Sequence, residues 1–241
     1  MNKLTEFLKE EQQAKRKGGL YHKTQVQLAY NSNRIEGSKL TEEQTRYIFE
    51  TRTIGFKDQE AVPVDDIIET SNHFIAFDDV LRTIDEPLTE DLIKGFHRTL
   101  KTGTADAQLS YFNVGDYKKL ANEVGGRETC MPAAVAMEMK SLQEWYNAQK
   151  NVTIHTLAEY HWRFECIHPF QDGNGRVGRL ILFRECLRNN VMPFVIDNEH
   201  KMYYYRGLSD FKQTPGFLVG TMQSAQDVYE AWIRYFNEEL L

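Results

Sequence analysis

Apolar residues recur at helical spacing along most of this chain, and that periodicity constrains the fold more than any other feature. The pattern Ile67-Ile68, Phe74-Ile75, Phe77, Val80-Leu81 is the clearest case, because residues three and four apart share one face of a helix. Strand-type alternation is scarce. Helices are expected over about 2–17 and 23–34, with Gly37 stopping the second as a C-cap. Thr41-Glu42-Glu43-Gln44 is a capping box opening a helix to about Arg52. The long pattern after Pro63 and a Thr89-capped helix through Leu100 follow. Further helices are expected over 133–149, 156–167, 174–189, 201–211 and 218–241. Only 101–132 breaks the pattern, with Gly103, Gly115, Gly125, Gly126 and Pro132. It reads as a long loop with a small hairpin around 122–131, and loops of that length inside a compact domain are often functional. The expected fold is all-α and one compact unit, with N-terminal helices over 1–55 and the main body over 56–241.

A chain of 241 residues can bury a core without staples. It carries 29 basic and 35 acidic residues, a net charge of −6, which argues against nucleic acid as a partner, since that needs a basic face. Cys130, Cys166 and Cys186 fit no zinc or redox spacing and read as small buried apolar residues in a reducing compartment. His155 and His161 belong to no His-Glu-x-x-His pattern, so zinc is not expected. Trp145 and Trp162 read as core aromatics. No apolar run approaches the length of a signal core or a membrane span. The expectation is a cytoplasmic protein with no membrane partner.

The stretch that carries chemistry is Ile167-His168-Pro169-Phe170-Gln171-Asp172-Gly173-Asn174-Gly175-Arg176-Val177-Gly178-Arg179. A helix should end before His168-Pro169, because the residue before proline disfavours the α region. Gly173 and Gly175 allow a tight turn, and the next helix begins there with Val177, Leu180, Ile181, Leu182 and Phe183 on its apolar side. A glycine turn entering a helix makes an anion site from unpaired N–H groups and the helix dipole. Arg176 and Arg179 share a face and match phosphate oxygens. Asp172 can hold Mg²⁺ together with phosphate oxygens. His168 is the titratable base of the loop. The segment is neither a Walker loop nor a dinucleotide fingerprint.

His168 to Arg179 resembles the signature of the Fic family, His-Pro-Phe-x-Asp-Gly-Asn-Gly-Arg-x-x-Arg, at every fixed position. The resemblance implies an all-α Fic fold, a helical bundle with a β-hairpin flap over the active site. It implies transfer of AMP from ATP to a Tyr, Thr or Ser hydroxyl of a target protein bound beside the flap, or of the chain itself, with Mg²⁺ or Mn²⁺. On this implication His168 is the general base, Phe170 anchors the loop and Asp172 binds the metal. Gly173, Asn174 and Gly175 form the anion hole, and Arg176 and Arg179 grip the outer phosphates. Kinase-like Doc proteins carry lysine where this chain has Gly175, which favours nucleotidyl transfer. Val124-Gly125-Gly126-Arg127 resembles the flap, and Tyr204-Tyr205 a pair near the adenine. Some members have asparagine where this chain has Lys212.

Ser32-Asn33-Arg34-Ile35-Glu36-Gly37 resembles the family's inhibitory motif. Glu36 is expected to pair bidentately with Arg179 and deny it to the γ-phosphate. Two further readings stay open: Glu36 could orient a water that removes AMP from a modified protein, or the chain could bind nucleotide without chemistry and report to a partner. Assembly into homo-oligomers is also left open.

Overall fold

The computed structural model describes residues 3–55 and 61–241. Among the described residues ten α-helices follow one another: α1 (Lys3–Gln13), α2 (Leu20–Ile35), α3 (Glu42–Thr51), α4 (Val64–Arg82), α5 (Glu90–Lys101), α6 (Pro132–Asn147), α7 (Ile154–Ile167), α8 (Asn174–Arg188), α9 (Lys201–Ser209) and α10 (Pro215–Asn237). Between α5 and α6 lie the two strands found among the described residues, β1 (Glu123–Val124) and β2 (Arg127–Glu128). The all-α expectation with one hairpin excursion holds. The expected start of the first helix at Asn2 and the expected division after residue 55 fall on or against residues outside the described ones.

Local signals account for most boundaries. The Thr41 box is formed in both directions, Gln44 N to Thr41 Oγ1 at 3.1 Å and Thr41 N to Gln44 Oε1 at 2.9 Å. Thr153 and Thr156 make a second box at the start of α7, which begins two residues earlier than periodicity alone suggests. Chain reversal by residues with positive φ, Lys15 and Gly18, stops α1 short of Lys17. The hairpin turns on Gly125-Gly126, both at positive φ, the geometry that two-residue hairpin loops require.

Helix α8 is the axis of the fold. Every residue from Asn174 to Leu187 is buried, and α2, α4, α5 and α7 pack around it. It therefore has no solvent face, which corrects the expectation of a single apolar side. Its sequence has no clean amphipathic stripe, and a helix covered on all sides needs none. The charged residues in it must then be paired. Arg184 and Glu185 are wholly buried and paired to each other. Arg184 also donates to the Thr83 and Glu86 carbonyls, and Tyr146 donates to Glu185 at 2.6 Å. We predict that Glu185→Ala lowers unfolding free energy by about 3–5 kcal/mol, since it strands a buried guanidinium. Urea unfolding monitored by circular dichroism measures this, and a loss below about 1 kcal/mol would show the pair to be dispensable.

The main core runs from Leu4 and Leu8 through Phe77, Phe164 and Phe183 to Tyr229 and Ile233, with a small satellite of Ala29, Leu40, Ile48 and Phe74. Helix α2 is fixed to the C-terminal helix by Thr24 Oγ1 and Tyr229 OH at 2.9 Å. Trp162 stacks on Phe211 at the edge of this core. Of the cysteines only Cys186 is buried; Cys130 is partly covered and Cys166 exposed. The expectation of three buried thiols is corrected, because Cys166 lies on the open side of α7 while its neighbours Phe164 and Ile167 face the core. No described helix is long and apolar enough to cross a membrane.

Candidate active site

The helix α7 ends where His168-Pro169 was expected to end it. His168 is the C-cap, in the left-handed region at φ 50°, with its N–H on the Phe164 carbonyl at 2.8 Å. Its side chain is 15% exposed. Nδ1 is buried with no hydrogen-bond partner, whereas Nε2 is not sealed in.

The loop that follows is held from inside. Asn174 turns its side chain back, Oδ1 accepting from Phe170 N at 2.8 Å and Nδ2 donating to Phe170 O at 2.9 Å. Its amide thus shapes the loop and does not face the opening, leaving only its backbone for anion contact. Phe170 is fully buried and stacks on His97, centroids 4.0 Å apart and planes 2° from parallel. His97 accepts from Gly115 N on Nδ1 at 2.9 Å, so Nε2 carries the proton toward the Asp172 carbonyl at 3.2 Å. Burial lowers His97 to about 3, so it stays neutral. Lys118 N and Asn122 Nδ2 tie the base of the hairpin to the Pro169 and Phe170 carbonyls. Asn174→Ala should cost about 1–3 kcal/mol by leaving buried loop groups unpaired, read as a lower urea midpoint; an unchanged midpoint would mean the loop is held elsewhere.

Gly173 takes φ 83° and begins α8, whose first turn has no side-chain cap. Its leading N–H groups therefore lack helical partners. Gly175 is needed for a different reason from the turn expected of it. A Cβ there would lie 2.3 Å from Glu36 Oε1 and 2.9 Å from Arg179 NH1.

A charged cluster flanks the turn. Lys101 is 3% exposed and donates to Asp172 Oδ2 at 2.8 Å, Glu69 at 2.6 Å and Asp106 at 3.2 Å. Arg176 is paired with Glu69 and with Asp172 Oδ2, the latter at 2.9 Å. Burial would raise the Asp172 carboxyl, but Arg176 and Lys101 more than offset it and hold it well below the usual carboxylate range. A cleft of about 230 Å³ opens here, lined among others by Glu36, Glu69, Lys101, Asp172 and Arg176. Sequence reading missed Lys101, Glu69 and His97. The signal for Lys101 and His97 was their place on the buried stripe of α5 with Ile93 and Phe96, where a charged residue must have a partner.

On the other side of the turn, Arg179 is 3% exposed. It donates to Ser32 Oγ at 3.0 Å, Ser32 O at 2.9 Å and Glu36 Oε1 at 2.7 Å. The expected bidentate pairing is corrected: one carboxylate oxygen meets Nη2 alone, which it shares with the Ser32 carbonyl, while the Ser32 hydroxyl takes Nε. Tyr205 OH donates to the Ile35 carbonyl at 3.0 Å, fastening the end of α2. Tyr204 faces inward, 1% exposed, with its hydroxyl 2.7 Å from His161 Nε2. Tyr205 is the exposed member of the pair, at 40%. In the flap, Val124 is exposed and Arg127 reaches the Ser209 carbonyl and hydroxyl at 3.0 and 2.7 Å.

A cavity of about 790 Å³ lies between α2, α9 and α10, and no residue of the 168–179 segment lines it. Size alone does not assign chemistry, so the smaller, charged cleft lined by Asp172 and Arg176 is the candidate.

Comparison with known families decides what this loop belongs to. The Fic/DOC family model matches residues 87–185, from the start of α5 to near the end of α8. Residues 87–185 are a Fic/DOC family domain. The matched span thus contains the loop, Lys101 and the hairpin, while Ser32, Glu36 and Glu69 lie outside it. The chain is 27% identical over 216 residues to "Protein adenylyltransferase Fic" of Drosophila melanogaster, covering 83% of this chain and 41% of the relative. The Culex quinquefasciatus protein of the same name is 27% identical over 221 residues, covering 85% and 41%. The chain therefore spans about two fifths of the length of these curated relatives. The fold is that of a Fic domain containing signaling protein from Bacteroides thetaiotaomicron, with TM-score 0.71, 23% identity and 98% and 92% of the two chains covered. It is also that of Fic-1 from C. elegans, with TM-score 0.69, 22% identity and 90% and 64% covered.

Proposed function

We propose that this chain transfers AMP from ATP to a hydroxyl of a protein, itself included, and that Glu36 holds it in a low-activity state. The observation that carries the reading is the position of one carboxylate. Glu36 Oε1 sits on Arg179 and against Gly175, at the uncapped start of α8, where a phosphate would gain both the N–H groups and the guanidinium. A side chain that occupies an anion site is a competitor for it.

The remaining groups support the same reading. His168 Nε2 is the open nitrogen and takes the hydroxyl proton. The oxygen attacks the α-phosphorus, and the bond to the β-phosphate oxygen breaks to release pyrophosphate. Asp172 is ionised and half exposed, with Oδ2 already held by Lys101 and Arg176. Among the described residues no group of three or more ligands gathers for a metal. One carboxylate with phosphate oxygens and waters is a usual set for Mg²⁺, and Asp172 supplies the carboxylate. Mg²⁺ held there would neutralise phosphate charge. Arg176, freed from Asp172 or Glu69, meets the outer phosphates. The flap backbone and Arg127 border the target, and the exposed Tyr205 borders the nucleotide.

Intact mass after incubation with ATP and Mg²⁺, wild type beside Glu36→Gly, tests reaction and brake together. Gain of one AMP unit, faster in the variant, is expected. No gain in either protein, with or without added acceptor proteins, would overturn the proposal. Incubating AMP-modified product with wild type tests removal of AMP.

A further inference from the structure

Beneath the catalytic loop lies a group that the Fic signature does not contain. Glu165 precedes His168 by three residues on α7, and its Oε2 is 3.7 Å from His168 Nδ1. Its Oε1 is 3.9 Å from His161 Nε2. The carboxylate is 14% exposed, and among the described residues these two imidazoles are its ion-pair partners. Three atoms here are buried without a hydrogen-bond partner: His161 Nδ1, Glu165 Oε1 and His168 Nδ1. Buried polar atoms left without a protein partner call for an explanation.

The neighbours fix Glu165 in place. A Cβ on Gly178 would lie 2.7 Å from His161 Cε1 and 2.9 Å from Glu165 Oε1. Glycine in α8 is thus what admits the pair. His161 is held by Tyr204 and lowered to about 4, chiefly by burial, so it is neutral near pH 7. Burial would raise Glu165, but His168, His161 and Arg179 more than offset it, and its carboxyl lies below the usual value. The charged and titratable groups facing it are His161 and Cys166 on its own helix, His168 at that helix's end, Arg179 on α8, and Tyr204 and Tyr205 on α9. Glu165 is an ionised carboxylate placed behind the His168 ring.

We infer that Glu165 is a positioning residue for His168, accepting the Nδ1–H so that Nε2 faces the opening as the base. The inference rests on the AMP-transfer reading. In that reaction the acceptor hydroxyl gives its proton to His168 Nε2, its oxygen bonds to the α-phosphorus, and pyrophosphate leaves with the electrons of the broken P–O bond. The imidazolium so formed carries protons on both nitrogens, and Glu165, itself still ionised, stabilises the one on Nδ1. A carboxylate behind an imidazole fixes both its tautomer and its charge. A gap of 3.7 Å closes to a hydrogen bond with a movement of under about 1 Å, and such contacts commonly tighten only when substrate binds.

The test uses the full chain carrying Glu36→Gly, with Glu165→Gln and Glu165→Met added separately. Glutamine keeps the shape and removes the charge; methionine removes the acceptor as well. We expect kcat to fall about 10- to 100-fold, with less than about 2-fold change in KM for ATP. The acid limb of the pH–rate profile should move to lower pH, since loss of the carboxylate favours the neutral ring. Nitrogen-15 histidine NMR without nucleotide should show His168 titrating at lower pH in Glu165→Gln and losing its Nδ1–H tautomer in Glu165→Met. An unmoved His168 titration overturns the inference, including the case where kcat falls only because the protein melts earlier. If the parent transfers no AMP while the NMR shift appears, the contact stands and the AMP-transfer reading falls.

Discussion

Replacing His168 by alanine leaves AMP transfer at least about 100-fold slower, within the range that loss of a general base produces. Little else should change. The side chain is at the surface end of α7, and the loop after it is held by Asn174 and by Phe170 on His97, none of which depends on the imidazole. The left-handed backbone at this position is already strained for a residue with a side chain. Alanine is not expected to unfold the loop, because the 168 N–H still bonds to Phe164 O. The variant should bind ATP as wild type does while failing to pass AMP on. Filter-binding and single-turnover assays on one preparation separate the two quantities. A variant that transfers at the normal rate would remove the base from the account.

The second large effect has the opposite sign. Glu36→Gly should raise the rate of transfer by about 100-fold, which corresponds to about 2.7 kcal/mol. The side chain is about one third exposed, so the pair is not a deeply buried one. It nevertheless does two things at once. It occupies one nitrogen of Arg179, and it places negative charge against Gly175 at the start of α8. Removing it vacates the nest and leaves Arg179 on Ser32 alone. A buried guanidinium without its counter-ion costs stability, so the variant should melt earlier in the absence of nucleotide and recover when ATP is added. Labelled ATP measures the rate, and thermal scans measure the recovery. Equal rates in variant and wild type would mean that Glu36 is not a brake.

Much of this was legible in the sequence where local rules act alone. The Thr41 box, the hairpin on Gly125-Gly126 and the end of α7 at His168-Pro169 each follow from chemistry within a few residues. The motif also placed His168, Asp172, Arg176 and Arg179 in one loop and helix start, where the fold has them. What escaped were partners brought in from other helices. Lys101 and His97 come from α5 and Glu69 from α4, and periodicity marks a buried position without saying what faces it. Gly175 illustrates the difference: it reads as a turn residue, yet the space a side chain would need there is filled by Glu36 from the end of α2. The inward side of Tyr204 and the all-round burial of α8 were equally hidden, because both depend on how many neighbours a helix acquires.

The central claim is that the turn after His168 presents the α-phosphorus of ATP to a protein hydroxyl. The most direct measurement incubates the Glu36→Gly chain with Mg²⁺ and ATP labelled at either the α- or the γ-phosphate, then counts label retained on denatured protein. Retention of α-label without γ-label is the predicted result. Retention of γ-label would mean phosphoryl transfer and would contradict the account.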